Sequence, residues 1–238
     1  KMAKSDGCFN TPLNHLSDNW GCILGKQDDE IDFILFGDSH AEALSEVFNQ
    51  VALDNDISIF FTGANGCIPF LSTYVQRSDQ LNNNCYLLNQ RLSQFAKTKR
   101  IKGIFLSARW TYYTNSGYGG AQQFIAKTEA GPFNLLDSRK SFEAGFNKTI
   151  DYYDDLNIPL YIFSQAPQQR FPAEMIYFNV YKNLNNINKL SVSRKSFEEL
   201  SNPYFSIMLE REKDLNLVNM MDLFCNEEIC PIGTYNQS

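Results

Sequence analysis

Histidine is nearly absent from this chain, with only His15 and His40 among 238 residues. No Cys-x-x-Cys occurs either, so thiolates offer no substitute at zinc-ligand spacing, and neither a metal nor an organic cofactor is expected. Long apolar runs are also missing. The best candidate, residues 31–36, is interrupted by Asp32 and falls far short of the roughly 20 residues a transmembrane helix needs. The opening Lys-Met-Ala-Lys-Ser-Asp has no apolar stretch of the signal-peptide kind. The sequence therefore reads as a soluble, excised fragment whose export signal, if there is one, lies upstream. No Lys/Arg run stands out and the net charge is −6, which argues against a nucleic-acid partner.

What remains is ordinary in bulk. Hydrophobic residues make up 43% and charged residues 20%, enough apolar material for a large core that needs no staples. The 19 Phe and 12 Tyr suit such a core and equally a sugar-binding cleft. Six cysteines fall into three sequence-local pairs, Cys8 with Cys22, Cys67 with Cys85, and Cys225 with Cys230. Six cysteines permit many connectivities, so local pairing is one option, and six buried thiols in a cytosolic enzyme is another. Disulfides would place the chain in an oxidising compartment.

Along the chain, residues 1–30 are polar and read as a Cys-bearing N-terminal extension, and residues 31–238 as the main domain. Short apolar runs at 32–37, 57–61, 103–107, 158–164 and 217–223 read as buried strands. Helical patterns cover 39–53, 78–99, 138–156 and 193–215, the last interrupted or kinked near Pro203. A Gly/Asn/Tyr-rich loop spans about 114–132. Alternating strands and helices predict a three-layer α/β/α, flavodoxin-like fold with about five parallel strands. The strand at 33–37 should be central, between those near 57–61 and 103–107, and the active site should lie at the carboxyl ends of the strands.

At that edge stands Phe36-Gly37-Asp38-Ser39-His40. A serine where a strand ends and a helix begins has an exposed hydroxyl, and its backbone N–H belongs to a helix turn whose free N–H groups and dipole favour an oxyanion. Gly37 supplies a tight turn, and Asp38 can support it by local hydrogen bonding. Asp-Ser is also a common helix N-cap with no further role.

Gly-Asp-Ser-His after the first strand resembles block I of the SGNH (GDSL-like) hydrolase superfamily. Other segments resemble more closely the SGNH domains fused to acyltransferase-3 membrane proteins, which O-acetylate bacterial surface glycans. Cys8 and Cys22 precede the first strand, Cys67-Ile68-Pro69 follows the second, Ala108-Arg109-Trp110 ends the third, and Cys225 and Cys230 follow the last. The resemblance implies Ser39 as nucleophile and its own N–H as one oxyanion donor. Gly66 is the expected second donor and Gly63 its runner-up. Arg109 and Trp110 stand where the superfamily has an Asn. Arg109 is expected to hold an acyl oxyanion or a glycan acid and Trp110 to stack on a sugar ring, with a packed aromatic as the plain alternative for Trp110; His40 is a further substrate-binding candidate. The expected disulfides are Cys8–Cys22, Cys67–Cys85 and Cys225–Cys230. The implied partners are a glycan acceptor, an acyl donor and an acyltransferase-3 membrane domain, at the periplasmic or extracellular face of a bacterial membrane.

The family carries an Asp-x-x-His after the last strand, and residues 1–238 do not contain it, so the domain is expected to be truncated before that loop and to be inactive alone. His40 adjoins Ser39, and neighbouring helical side chains point apart. His15 lies in the polar lead-in. Three readings compete: an acyl-transfer enzyme, a catalytically inactive glycan-binding module, and a disulfide-stapled structural domain.

Overall fold

Residues 33–37 read Phe-Ile-Leu-Phe-Gly, and their side chains alternate between two cores, as the period of a strand requires. Ile34 and Phe36 join one cluster with Ile104, Leu106, Leu160 and Ile162. Leu35 joins another with Ile59 and Phe61. A strand buried on both faces belongs inside a parallel sheet. The computed structural model describes residues 8–11, 20–28, 30–76, 79–118, 120, 122–171, 175 and 189–232, with 79–83 as backbone only.

The sheet has six strands: β1 (Cys22–Gly25), β2 (Phe33–Gly37), β3 (Ser58–Gly63), β5 (Gly103–Ser107), β7 (Leu160–Phe163) and β9 (Asn216–Val218), in the spatial order β1-β3-β2-β5-β7-β9. Five are mutually parallel, and β2 is central between β3 and β5, as the sequence pattern implies. The sixth comes from within the segment read as an N-terminal extension. Cys22–Gly25 pairs antiparallel with β3 and closes that edge of the sheet, while Phe9 bridges Gly63. Four residues are too few to announce a strand against a polar background. The last strand is also shorter than the run at 217–223, because Asn219 caps a short helix over Met220–Phe224 by accepting from Met221 N.

Helix α1 (Ser39–Asp54) packs on the Leu35/Ile59/Phe61 face through Ala41 and Ala52. The other face carries α2 (Asp79–Thr98), α4 (Leu135–Asp155) and α5 (Arg194–Glu210), through residues such as Leu88, Leu92, Phe142, Phe146, Tyr204 and Met208. Pro203 does not interrupt the helix. Its missing N–H forfeits one backbone bond, but Phe197 on one side and Tyr204 and Met208 on the other hold both halves against the protein. The segment 114–132 is partly regular: α3 (Thr111–Thr114) leads into it, and β6 (Ile125–Ala126) pairs with β4 (Tyr74–Val75). A last two-stranded ribbon joins β8 (Val192–Ser193) to β10 (Ile229–Cys230).

The cysteines form Cys8–Cys22, Cys67–Cys85 and Cys225–Cys230. No helix among the described residues is long and apolar enough to cross a membrane.

Candidate active site

Ser39 is the first residue of α1 and is exposed at the carboxyl end of β2. Its hydroxyl has no hydrogen-bond partner among the described residues. The turn before it is built from one fully desolvated carboxylate: Asp38 is 1% exposed. One Asp38 oxygen accepts from His40 N at 2.9 Å, which makes it the helix N-cap. The other accepts from Arg109 N at 2.9 Å and from the Tyr113 hydroxyl at 3.0 Å. Asp38 therefore does more than support a local turn. It ties the loop after β2 to the loop after β5, and so fixes Ser39 relative to Arg109.

Gly37 is required by close approach. A Cβ there would stand 1.8 Å from the Ser107 carbonyl oxygen on the neighbouring strand. On the other side, Ala64 N donates to the Gly37 carbonyl at 3.3 Å, so the loop after β3 rests directly on the Ser39 turn. That loop is a β-turn closed by Cys67 N to Ala64 O at 3.0 Å, with Gly66 at its third position and φ of 61°. Only glycine takes that conformation readily. Gln123 Nε2 donates to the Gly66 carbonyl at 3.3 Å. Gly63, the other candidate, is the last residue of β3, registered with Gly37, and its carbonyl accepts from Asn10 N.

His40 does not face Ser39. Its Nδ1 lies 3.4 Å from Asp38 Oδ1. His15 lies outside the described residues. Arg109 is half-buried, with its guanidinium 5.1 Å from the Tyr112 ring centroid. The Gln168 amide, turned so that its oxygen accepts, meets Arg109 Nη2 at 3.2 Å and Tyr118 N at 3.1 Å. Among the described residues no carboxylate pairs with this guanidinium.

Trp110 requires a correction. The expected sugar platform is a core residue with 0% exposure. Its ring stacks on Phe70 at 5.5 Å and meets Phe142 edge-on, and its Nε1–H donates to the Phe163 carbonyl at 2.8 Å. Both faces and the polar handle are occupied, so no sugar can lie on it. Sequence reasoning missed Tyr113, and also Gln165, whose side-chain oxygen accepts from both N and Oγ1 of Thr111 at 3.0 Å. Those contacts join residues more than fifty positions apart, and no local motif announces them. Among the described residues no group of acidic, histidine or cysteine side chains could hold a metal ion.

The sheet is doubly wound, and the exposed serine stands at the switch from its central strand to the first helix. The chain belongs to the family described as the SGNH domain fused to AT3 domains, which it matches over residues 7–237. Among solved structures it is similar to the periplasmic domain of a lipopolysaccharide acetyltransferase from Salmonella ser. Paratyphi A. The TM-score is 0.57 and the identity 14%, covering 97% of this chain and 80% of that one. At that identity the likeness speaks for the fold. No curated protein sequence matches the chain.

Proposed function

We propose that this chain is the serine acyl-transfer domain of an exported enzyme that O-acetylates, or deacetylates, a bacterial surface glycan such as lipopolysaccharide or capsule. The observation that carries the reading is the exposed Ser39 on a turn locked by Asp38, in a chain of the SGNH family fused to AT3 domains. Ser39 Oγ attacks the carbonyl carbon of the acyl donor while a base takes its proton. The oxyanion is held by the Ser39 and Gly66 N–H groups. The donor's leaving group departs with a proton, and the acceptor hydroxyl then takes the acyl group from Ser39. The base belongs to the Asp-x-x-His that the family resemblance implies, outside residues 1–238. Arg109, free of any described carboxylate, takes an acyl oxyanion or a glycan carboxylate. The acyl donor reaches the site through an acyltransferase-3 membrane domain, at the periplasmic or extracellular face. The three disulfides support that location.

A second reading, an inactive glycan-binding module, is favoured by one observation: the described histidine, His40, is turned toward Asp38 and not toward Ser39. Acetyl-ester hydrolysis and labelling by a serine-directed phosphonate decide between the two. Residues 1–238 alone should be nearly inert, and the chain carrying the Asp-x-x-His segment should react at Ser39. There Ser39→Ala should abolish both signals and leave the fold intact, since Asp38 and not Ser39 caps the helix. An Asp-x-x-His-bearing chain inert to both reagents selects the binding module.

A further inference from the structure

We infer that the cavity beside Gly66 is a subsite for a neutral sugar ring. The cavity measures about 280 Å³ and is lined by two kinds of residue. Ala64, Val75, Leu88 and the Cys67–Cys85 disulfide present apolar surface. Asn10, Asn65, Asn84 and Thr11 present amides and a hydroxyl. Among the described residues, none that lines it carries a charge.

That composition selects the ligand by chemistry. A carboxylate or phosphate would meet no cation among the described lining residues to offset its desolvation. An acyl chain would satisfy the apolar part but leave the Asn84 amide unsatisfied, which costs affinity. A sugar ring matches both, because its C–H face lies on apolar surface and its hydroxyls need groups that donate and accept in turn, as an amide does. The Asn84 side-chain amide has no hydrogen-bond partner among the described residues, so it is available to such a hydroxyl.

The walls are built rather than incidental. Asn10 sits at a φ of 57°, a left-handed conformation that asparagine tolerates better than most residues. Its Oδ1 accepts from Asn65 N at 2.7 Å, and its own N–H is committed to Gly63 O at 2.9 Å. Two positions earlier, Cys8 is bonded to Cys22 on the edge strand. Opposite, Asn89 Nδ2 donates to the Ile68 carbonyl at 3.0 Å, behind the Cys67–Cys85 bridge. Ala64 connects the cavity to the chemistry, because its N–H bonds Gly37 O beneath Ser39. A ring in this cavity would therefore lie beside the Gly66 turn, the position of an acceptor whose neighbouring residue presents a hydroxyl to Ser39. Only this role as acceptor subsite rests on the acyl-transfer reading; the binding itself does not.

The test is a titration of the ¹⁵N-labelled chain with methyl glycosides of neutral hexoses, with glucuronate and butyrate as charged and acyl probes. Neutral glycosides should shift the Gly66 backbone amide and the Asn84 side-chain amide. Asn84→Leu should weaken that response about tenfold, the loss expected for a hydrogen bond of about 1.4 kcal/mol, while the rest of the spectrum stays unchanged. Absence of shifts at Gly66 and Asn84 overturns the proposal, as does an equal response to glucuronate or a stronger one to butyrate. Phosphonate labelling of Ser39 in the Asp-x-x-His-bearing chain reads the other proposal separately. Labelled Ser39 without glycoside shifts removes the subsite alone, whereas glycoside shifts with an inert Ser39 support the subsite and remove acyl transfer.

Discussion

Tyr113 donates its hydroxyl to the buried carboxylate of Asp38 across 75 positions of sequence, at 3.0 Å. Both side chains are sealed from solvent, and the same Asp38 oxygen also accepts from Arg109 N. Deleting the Tyr113 hydroxyl leaves a buried anion one donor short. Tyr113→Phe should destabilise the fold by about 1–3 kcal/mol, read as a lowered urea midpoint with an unchanged slope. It should also slow phosphonate labelling of Ser39 in the chain bearing the Asp-x-x-His segment, a readout that a packing role alone would not move. An unchanged labelling rate would reduce Tyr113 to a stabilising residue.

Arg109 and Trp110 are neighbours in sequence with opposite fates. Trp110 is enclosed by Phe70 and Phe142, so Trp110→Ala should cost about 3–5 kcal/mol. Trp110→Phe keeps a ring but gives up the bond to the Phe163 carbonyl and should cost less. Arg109 is half-exposed and has no described carboxylate partner, so Arg109→Gln should shift the thermal midpoint little. The predicted effect of Arg109→Gln is on turnover of acidic glycan acceptors. Equal destabilisation by Arg109→Gln and Trp110→Ala would refute the distinction.

The central architecture was legible because it is written locally. Residues 33–37, 103–107 and 158–164 are apolar runs that alternate along the chain with helical patterns, and parallel sheets buried on both faces produce that pattern. The Ser39 turn was legible for the same reason, since Gly-Asp-Ser-His is contiguous. Cys22–Gly25 was not, because it is an edge strand whose identity depends on β3 beside it. Trp110 was left between a sugar platform and a packed aromatic because side-chain direction at a strand end is decided by tertiary packing, here by Phe70 forty positions earlier. Tyr113, Gln165 and the Asn10–Asn65 contact carry no local signature at all. They exist only once the loops after β2, β3, β5 and β7 are gathered at one edge.

The opposite edge of the sheet supplies a pH prediction. Asp32 Oδ2 accepts from Ser58 N at 2.9 Å, and its other oxygen meets Lys102 Nζ at 2.6 Å, joining the starts of β2, β3 and β5. The Lys102 ammonium first, and then the Ser58 N–H, hold the Asp32 carboxyl below its ordinary range. A folded-state value below the unfolded one stabilises the protein above the unfolded value and is lost as pH falls through the folded one. Asp32→Asn removes the charge and keeps an acceptor for Ser58. The variant's urea midpoint should therefore trail the parent's near pH 7, and the gap should narrow below about pH 4, where ordinary aspartates protonate. Lys102 is largely exposed, so added salt should also shrink the gap. A gap that widens in acid would contradict this assignment.

Gly37 and Ser39 stand two residues apart, yet their substitutions should fail in different ways. Gly37 is registered with Ser107 on β5, and an added Cβ would stand 1.8 Å from the Ser107 carbonyl oxygen and 3.0 Å from Ala41 Cβ. The obstructing atom is backbone in the middle of the sheet, so no rotamer change relieves it. The two strands must separate, or the Ser39 turn must lift away from Ala64. Gly37→Ala should cost at least about 3 kcal/mol and remove phosphonate labelling together with cooperative unfolding. Ser39→Ala deletes an exposed hydroxyl with no described partner and should leave the thermal midpoint nearly unchanged while removing labelling. Parallel melting and labelling measurements on the two variants separate a fold defect from the loss of a nucleophile. A stable, labelled Gly37→Ala protein would show that the β2–β5 approach is looser than this geometry demands.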